Sequence, residues 1–136
     1  MKLLTVHATI KAPLHEVWNY WTNPNHIMHW NFASTDWHCP NATNKLEVGG
    51  EFHYEMAARD GSMSFDFWGN FQEIEQQKSL DILIGDGRKM KVTFASTEMG
   101  TKVTEQFEPE NENPEDMQQA GWQQILDNFK SYVEAT

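Results

Sequence analysis

Apolar residues recur at helical spacing near the end of the chain and at alternate positions through most of the rest. Between Asn113 and Glu134 they fall along one side of a helix. Asn113 is expected to cap this helix, Pro114 to take its first position, and Glu115 to favour the positive end of its dipole. The apolar positions are Met117, Gly121, Trp122, Ile125, Leu126, Phe129, Tyr132 and Val133. Such a long amphipathic helix needs a broad apolar surface to pack on.

Upstream of this helix, alternation of apolar and polar residues predicts strands at positions 2–10, 45–48, 51–57, 63–74, 80–84, 89–95 and 101–108. Glycine-rich and aspartate-rich turns between several strands favour hairpins, and therefore an antiparallel sheet. Two short helices are predicted at 13–21 and 25–30, because Pro13 and Pro24 stand at helix-start positions. Positions 32–44 show no periodicity and are expected to be irregular.

The order of elements predicts an α+β fold. One strand, two short helices, a run of about six strands and one long helix form a single domain, which suits a chain of 136 residues. An antiparallel sheet with one apolar face can curl around the amphipathic C-terminal helix. We therefore expect a curved sheet of six to seven strands that grips this helix, with residues 1–136 forming one domain.

Charge and composition exclude several classes of partner. With 20 acidic and 10 basic side chains the net charge is −10, so nucleic acid and anionic membranes would be repelled. A single cysteine allows no internal disulfide, and the N-terminus has no signal-peptide pattern, so a cytoplasmic protein is expected. Six Trp and eight Phe fit either a solid aromatic core or a cavity walled by rings. The sequence leaves both open, together with the oligomeric state.

Short motifs spread over the whole chain resemble the helix-grip superfamily, also called START-like or SRPBCC. They are Ile10-Lys11-Ala12-Pro13 with Val17-Trp18, Pro24 through Trp30, Gly49-Gly50-Glu51-Phe52, Asp60-Gly61-Ser62 with Phe67-Trp68-Gly69, Gly100-Thr101-Lys102-Val103-Thr104, and Gly121-Trp122 with Ile125-Leu126. Within the superfamily the chain is similar to the branch named after the C-terminal domain of the activator of heat-shock protein 90 ATPase.

The resemblance implies a deep cavity between the sheet and the C-terminal helix. Relatives use this cavity for hydrophobic or aromatic small molecules, and some enclose cyclisation or dehydration chemistry of the polyketide type in it. The branch name also suggests a heat-shock ATPase as a partner. The superfamily offers no universal catalytic motif, and no cofactor is implied.

The leading hypothesis is therefore a binding module for a small hydrophobic ligand. Its wall residues are expected to be Trp30, Trp37, Phe52, Tyr54, Met56, Phe65, Phe67, Phe94, Phe107 and Trp122. Glu105 and Gln118 are expected to be polar anchors inside this apolar chamber. Met63, Met90 and Met117 are also predicted to point inward.

Glu105 is the strongest candidate for chemistry. Strand alternation places it between Val103 and Phe107 on the face that meets the helix. Desolvation there would raise its pKa and suit it to general acid or base work, with Tyr54 as a second group. The alternatives are a strand-end carboxylate open to water and a carboxylate paired with Gln118.

A histidine-rich stretch is the second candidate. His26, His29, His38 and Cys39 could converge on a metal ion or form a Cys–His nucleophile pair, but their spacing matches no closed zinc pattern. Polar groups of this kind more often satisfy loop backbone and cap helices. We therefore predict neither a metal site nor a catalytic thiol.

Overall fold

In the computed structural model, which describes residues 2–136, the chain forms one seven-stranded antiparallel sheet and three helices. The elements are β1 (Leu4–Ile10), α1 (Leu14–Thr22), α2 (Pro24–Ile27), β2 (Trp37–Asn44), β3 (Glu51–Ala58), β4 (Ser64–Glu75), β5 (Ser79–Ile84), β6 (Lys89–Thr97), β7 (Gly100–Phe107) and α3 (Glu115–Ala135). The strand order is β1-β7-β6-β5-β4-β3-β2. The sheet is curved around α3, so the predicted helix-grip fold is confirmed.

Alternation along the strands determines which side chains meet the helix. In β1 the buried residues are Leu4, Val6, Ala8 and Ile10, and in β7 they are Thr101, Val103, Glu105 and Phe107. β1 and β7 are paired in register, so these two buried rows lie side by side on the concave face. Among the described residues 2–136, no helix is long and apolar enough to cross a membrane.

The predicted irregular segment 32–44 is partly wrong, because Trp37–Asn44 forms the edge strand β2. Its pairing with β3 shifts register between His38 and Asn41, and Pro40 lies inside the shift. A bulge and a proline disturb the alternation from which strands are recognised. The predicted strand at 45–48 is also wrong. That segment is a turn completed by Gly49 at φ +85°, whose N–H donates to the Phe71 carbonyl (2.7 Å).

The helix starts differ in detail from the prediction. At α2 the Asn23 side chain accepts from the Asn25 N–H as a cap, with Pro24 following it, but the helix ends at Ile27. At α3 the N-cap is Pro114, without a side-chain hydrogen bond. Asn113 instead donates its amide to Glu110 Oε1 (3.0 Å), so the expected cap at this residue is wrong.

α3 is anchored by its C-terminal half. Leu126, Phe129 and Val133 are its buried residues, and the Phe129 ring packs edge-to-face against Trp21 and Trp30 at centroid distances of 4.9 and 4.8 Å. Met117 lies ahead of this anchored half and is 60% exposed. Its predicted inward position is therefore wrong. Met63 is 59% exposed for a different reason, since it precedes β4 in the β3–β4 turn, and that prediction is wrong as well.

The polar side of α3 covers the free edge of β1. Since β1 is an edge strand, the outward carbonyls of its alternate residues have no strand partner. Side chains of α3 donate to three of them. The bonds run from Gln119 Nε2 to Thr5 O (2.8 Å), from Gln123 Nε2 to His7 O (3.1 Å) and from Lys130 Nζ to Thr9 O (2.7 Å). These bonds fix the position of the helix along the sheet.

Candidate functional site

A cavity of about 280 Å³ lies between the concave face of the sheet and the helices. Eight of the residues that were predicted from the sequence to form the site line this cavity. They are Trp30, Phe52, Tyr54, Met56, Phe65, Phe67, Glu105 and Trp122. Phe65 is 53% exposed although it touches the cavity, so it marks the rim where the cavity meets solvent. The structure therefore supplies open space where a solid aromatic core was the alternative.

The other four predicted site residues do not line the cavity. They are Trp37, Phe94, Phe107 and Gln118. Trp37 lies on β2 and touches the rim residue Phe65, with ring centroids 6.1 Å apart. Phe94 packs against Trp18 and Trp21 (5.1 and 5.9 Å), because α1 covers this part of β6. Both positions are buried or half-buried packing, not cavity wall.

Phe107 and Gln118 miss the cavity for separate reasons. The Trp122 ring stacks flat on Phe107 at a centroid distance of 3.8 Å and separates it from the space. Gln118 turns back to the preceding linker, where its Oε1 accepts from the Glu110 N–H (2.9 Å) and its Nε2 donates to the Asn113 carbonyl (2.8 Å). The Gln118 side chain thus hydrogen-bonds to the linker that precedes α3, and its prediction as a polar anchor in the cavity is wrong.

Sequence reasoning left part of the lining out of its site. The additional residues are Trp21, Thr22, Asn31, Phe71, Leu80, Ile82, Arg88, Met90, Val92 and Ile125. For the apolar members the signal was present, since alternation in the fifth and sixth strands put Leu80, Ile82, Met90 and Val92 inward. Asn31 and Arg88 sit in connecting segments without periodicity, so no pattern pointed to them.

Packed rings form one wall of the cavity. Phe52 is at its centre, with Tyr54, Phe67 and Phe71 at centroid distances of 4.9, 5.7 and 5.5 Å. Phe52 lies opposite Gly69 on β4, and a Cβ there would come within 3.0 Å of the Phe52 ring. The glycine thus permits the Phe52 ring to approach the β4 backbone closely.

Glu105 provides a carboxyl group on this apolar wall. It is 6% exposed, its strand neighbours across the sheet are Val6 and Val92, and none of the described hydrogen bonds or ion pairs uses its side chain. Burial raises its pKa from 4.5 to about 8. At neutral pH the group therefore keeps its proton in most molecules and can donate as well as accept.

Three other polar groups at the cavity have partners within the protein. The Tyr54 hydroxyl accepts from Asn44 Nδ2 (3.0 Å), and burial raises the pKa of this phenol. Arg88 donates from Nε to Asp86 Oδ2 (2.8 Å) and from Nη1 to the Glu108 carbonyl (3.2 Å). The Thr22 hydroxyl donates to the Trp18 carbonyl (2.8 Å). Of the charged lining groups, Arg88 is thus paired, and Glu105 is without a hydrogen bond or ion pair among the described residues.

Comparison with known families gives the chain its assignment. Residues 11–134 match the family described as Activator of Hsp90 ATPase homolog 1-like protein. The chain belongs to this family. No curated protein matches the sequence.

Solved structures agree with the assignment. The solution structure of an AHSA1-like protein from Aeromonas hydrophila is 46% identical, with a TM-score of 0.93 over 98% of this chain and 93% of that one. A protein from Cytophaga hutchinsonii is 48% identical, with a TM-score of 0.84 over 97% and 92% of the two chains. A protein from Chromobacterium violaceum shares only 20% identity, yet its TM-score is 0.86 over 98% and 99%, which shows the same fold.

In this AHSA1-like chain the histidine-rich stretch serves packing around the end of α3. His26 Nδ1 lies 2.7 Å from the Tyr132 hydroxyl, and His29 stacks on the Tyr132 ring with centroids 5.6 Å apart. Cys39 is buried and its thiol donates to the Asn41 carbonyl (3.5 Å). Burial raises the pKa of Cys39 to about 11, which disfavours the nucleophilic thiolate. Within residues 2–136 no group of three or more His, Cys, Asp or Glu is arranged to hold a metal ion.

His26 should make the stability of the protein depend on pH. Burial, followed by the nearby His29, lowers the pKa of His26 below 6.5, so the folded state resists protonation more than the unfolded state. The free energy of unfolding should therefore fall as pH drops from 7.5 through 6.5. Urea titrations at pH 7.5 and 5.5 should show a smaller fall in H26Q than in the wild type. An identical fall in both proteins would remove His26 as a cause.

Proposed function

We propose that this protein binds a small hydrophobic or aromatic molecule in the cavity between the sheet and α3. The observation that carries the proposal is the lining itself, in which rings and aliphatic side chains surround open space and the Glu105 carboxyl makes no hydrogen bond to the protein. Ligand sites generally have this composition, with many apolar contacts for affinity and few polar groups for orientation. Family membership is compatible with a ligand-binding or co-chaperone-like module.

The way in is at Phe65. This ring is more than half exposed, lies on β4 beside Trp37 of the edge strand, and also touches the cavity. An apolar molecule arriving there would cover exposed aromatic surface before it enters, which favours entry.

A cavity-filling substitution tests the proposal directly. The probe is N-phenyl-1-naphthylamine, an uncharged aromatic compound that fluoresces in apolar surroundings. We expect saturable binding of one molecule by the wild type and a loss of at least about tenfold in affinity in Ile82→Phe, whose larger ring occupies the cavity.

Leu83→Phe is the matched control. Leu83 is the next residue on β5 and faces the other side of the sheet, so the same added volume should leave probe binding unchanged. Melting curves establish that both variants fold. Binding of the probe by Ile82→Phe at wild-type strength, or no saturable binding by the wild type, would contradict the proposal.

An enzymatic role is the second candidate, and the buried carboxyl favours it. A protonated Glu105 on a water-poor wall can act as a general acid toward a bound carbonyl compound, as in cyclases and dehydratases of the polyketide type. Tyr54 would assist through its hydroxyl, which Asn44 holds in place. Turnover of a bound substrate that persists in Glu105→Gln would exclude this role for the carboxyl.

A further inference from the structure

We propose that the ligand of this cavity is an apolar aromatic or alkyl compound carrying one basic nitrogen, whose ammonium group pairs with Glu105. The inference rests on the proposed binding function and adds the chemical class of the ligand.

The Glu105 side chain lacks a bonding partner among the described residues. Glu105 is 6% exposed and lines the cavity, and its side chain makes none of the described hydrogen bonds or ion pairs. No fully buried side-chain oxygen or nitrogen of the described residues lacks a partner, so the Glu105 oxygens reach the cavity space. A group that bonds to this carboxyl in apolar surroundings gains more than it would in water. A bound molecule is the partner that the fold itself does not supply.

Few charged groups lie near Glu105 on the cavity wall. The charged or titratable neighbours on the cavity wall are Tyr54 on β3 and Arg88 in the β5–β6 turn. Asp86 already balances the charge of Arg88, and no cation contributes to the pKa of Glu105. The residues that α1, α3 and β5 contribute to the wall carry no charge. Glu105 is therefore an acidic group that no cation of the wall balances, and it can become a carboxylate when a ligand cation binds.

The aromatic rings on the cavity wall also favour a cation. Trp30, Trp122, Phe67 and Tyr54 present aromatic surface to the same space, and ring faces attract cations through their quadrupole. The protein also carries a net charge of −10, which raises the local concentration of cations and repels anions. An anionic ligand would meet both the carboxyl and this field. An ammonium group on an apolar molecule can pair with the carboxyl, contact the ring faces and be attracted by the negative charge of the protein.

The size of the cavity limits the ligand. A volume of 280 Å³ is at the small end for ligand sites, so one ring system with a short amine-bearing chain suits it better than a large lipid. Pairing with an ammonium requires Glu105 to release its proton to solvent. Binding of an amine at pH 7 should therefore release close to one proton, whereas binding of a neutral molecule should release none.

Three probes with the same indole ring and different side-chain charge test the inference by calorimetry. They are tryptamine, the neutral 3-propylindole and the anionic indole-3-propionic acid. We expect the wild type at pH 8.5 to prefer tryptamine over 3-propylindole by at least about tenfold, since 3-propylindole would leave the Glu105 carboxylate covered without a partner. Indole-3-propionic acid should bind most weakly. Titration at pH 7 in two buffers of different ionisation enthalpy should show the released proton.

Glu105→Gln should lose the preference for tryptamine and the proton release while it retains 3-propylindole. Glu73→Gln makes the same substitution at an exposed position of β4 and should behave like the wild type. Equal affinities for tryptamine and 3-propylindole in the wild type would overturn the amine inference. So would a preference that survives in Glu105→Gln. If N-phenyl-1-naphthylamine binds in either case, the proposed hydrophobic binding function stands without the amine.

Discussion

Replacing Glu105 by glutamine should raise the free energy of unfolding at pH 7.5 by about 4 kcal/mol. The pKa of this carboxyl is about 8 in the folded protein, against 4.5 for an unperturbed glutamate. Between these two values the unfolded chain loses its proton and the folded chain keeps it. The stability contributed by Glu105 is therefore complete below pH 4.5 and is lost as pH rises to 8. Glutamine stays neutral in both states, so it avoids this loss.

Denaturant titrations between pH 4.5 and 8 test the expectation. The gap between Glu105→Gln and the wild type should be near zero at pH 4.5 and widen steadily toward pH 8. The Glu73→Gln variant makes the same substitution at an exposed position and should show no such widening. Stability curves for Glu105→Gln and wild type that run parallel across this range would mean that Glu105 is not desolvated. A stabilising substitution at a buried wall position is the trade-off typical of residues kept for function.

The second large effect is expected at Phe129. Its ring is fully buried and packs edge-to-face on Trp21 and Trp30, so it joins α3 to the helical segment that follows β1. Phe129→Ala should lower the free energy of unfolding by about 4 kcal/mol, through lost transfer free energy and an unfilled hole. For a domain of this size that is a large share of its total stability.

Urea unfolding followed by tryptophan fluorescence measures this change, because both contacting rings are indoles. Ser131→Ala, two residues further along α3 and exposed, should change the stability by less than about 0.5 kcal/mol. A loss below about 1 kcal/mol in Phe129→Ala would show that α3 is held mainly by its polar bonds to β1.

The fold was predictable because its main signals are periodic. The alternation of β1, β3, β6 and β7 and the helical spacing of α3 each identified an element without reference to the others. β2 was missed because Pro40 and the shift after His38 remove the alternation, and because its edge position buries only one side irregularly. The strand expected at 45–48 failed for the opposite reason, since a short apolar alternation there belongs to a turn.

The site was predictable only in part because facing inward is not the same as facing the cavity. Strand alternation correctly turned Phe107 and Phe94 toward the helices, but Trp122 covers the first and α1 covers the second. Which inward residue is covered depends on contacts between elements far apart in sequence. Gln118 illustrates the same limit on a helix. Its side chain accepts from the Glu110 N–H and donates to the Asn113 carbonyl, so it does not reach the cavity.

The side-chain bonds from α3 to β1 have a consequence for how the protein can associate. A sheet grows by recruiting a foreign strand at an open margin, as in fibrils and in strand-exchanged dimers. At one margin three carbonyls are already occupied by glutamine and lysine side chains. At the other, Pro40 withholds a donor and the register shift breaks the ladder. Strand-by-strand growth is therefore opposed at both ends, and partners must engage side-chain surfaces instead of the backbone.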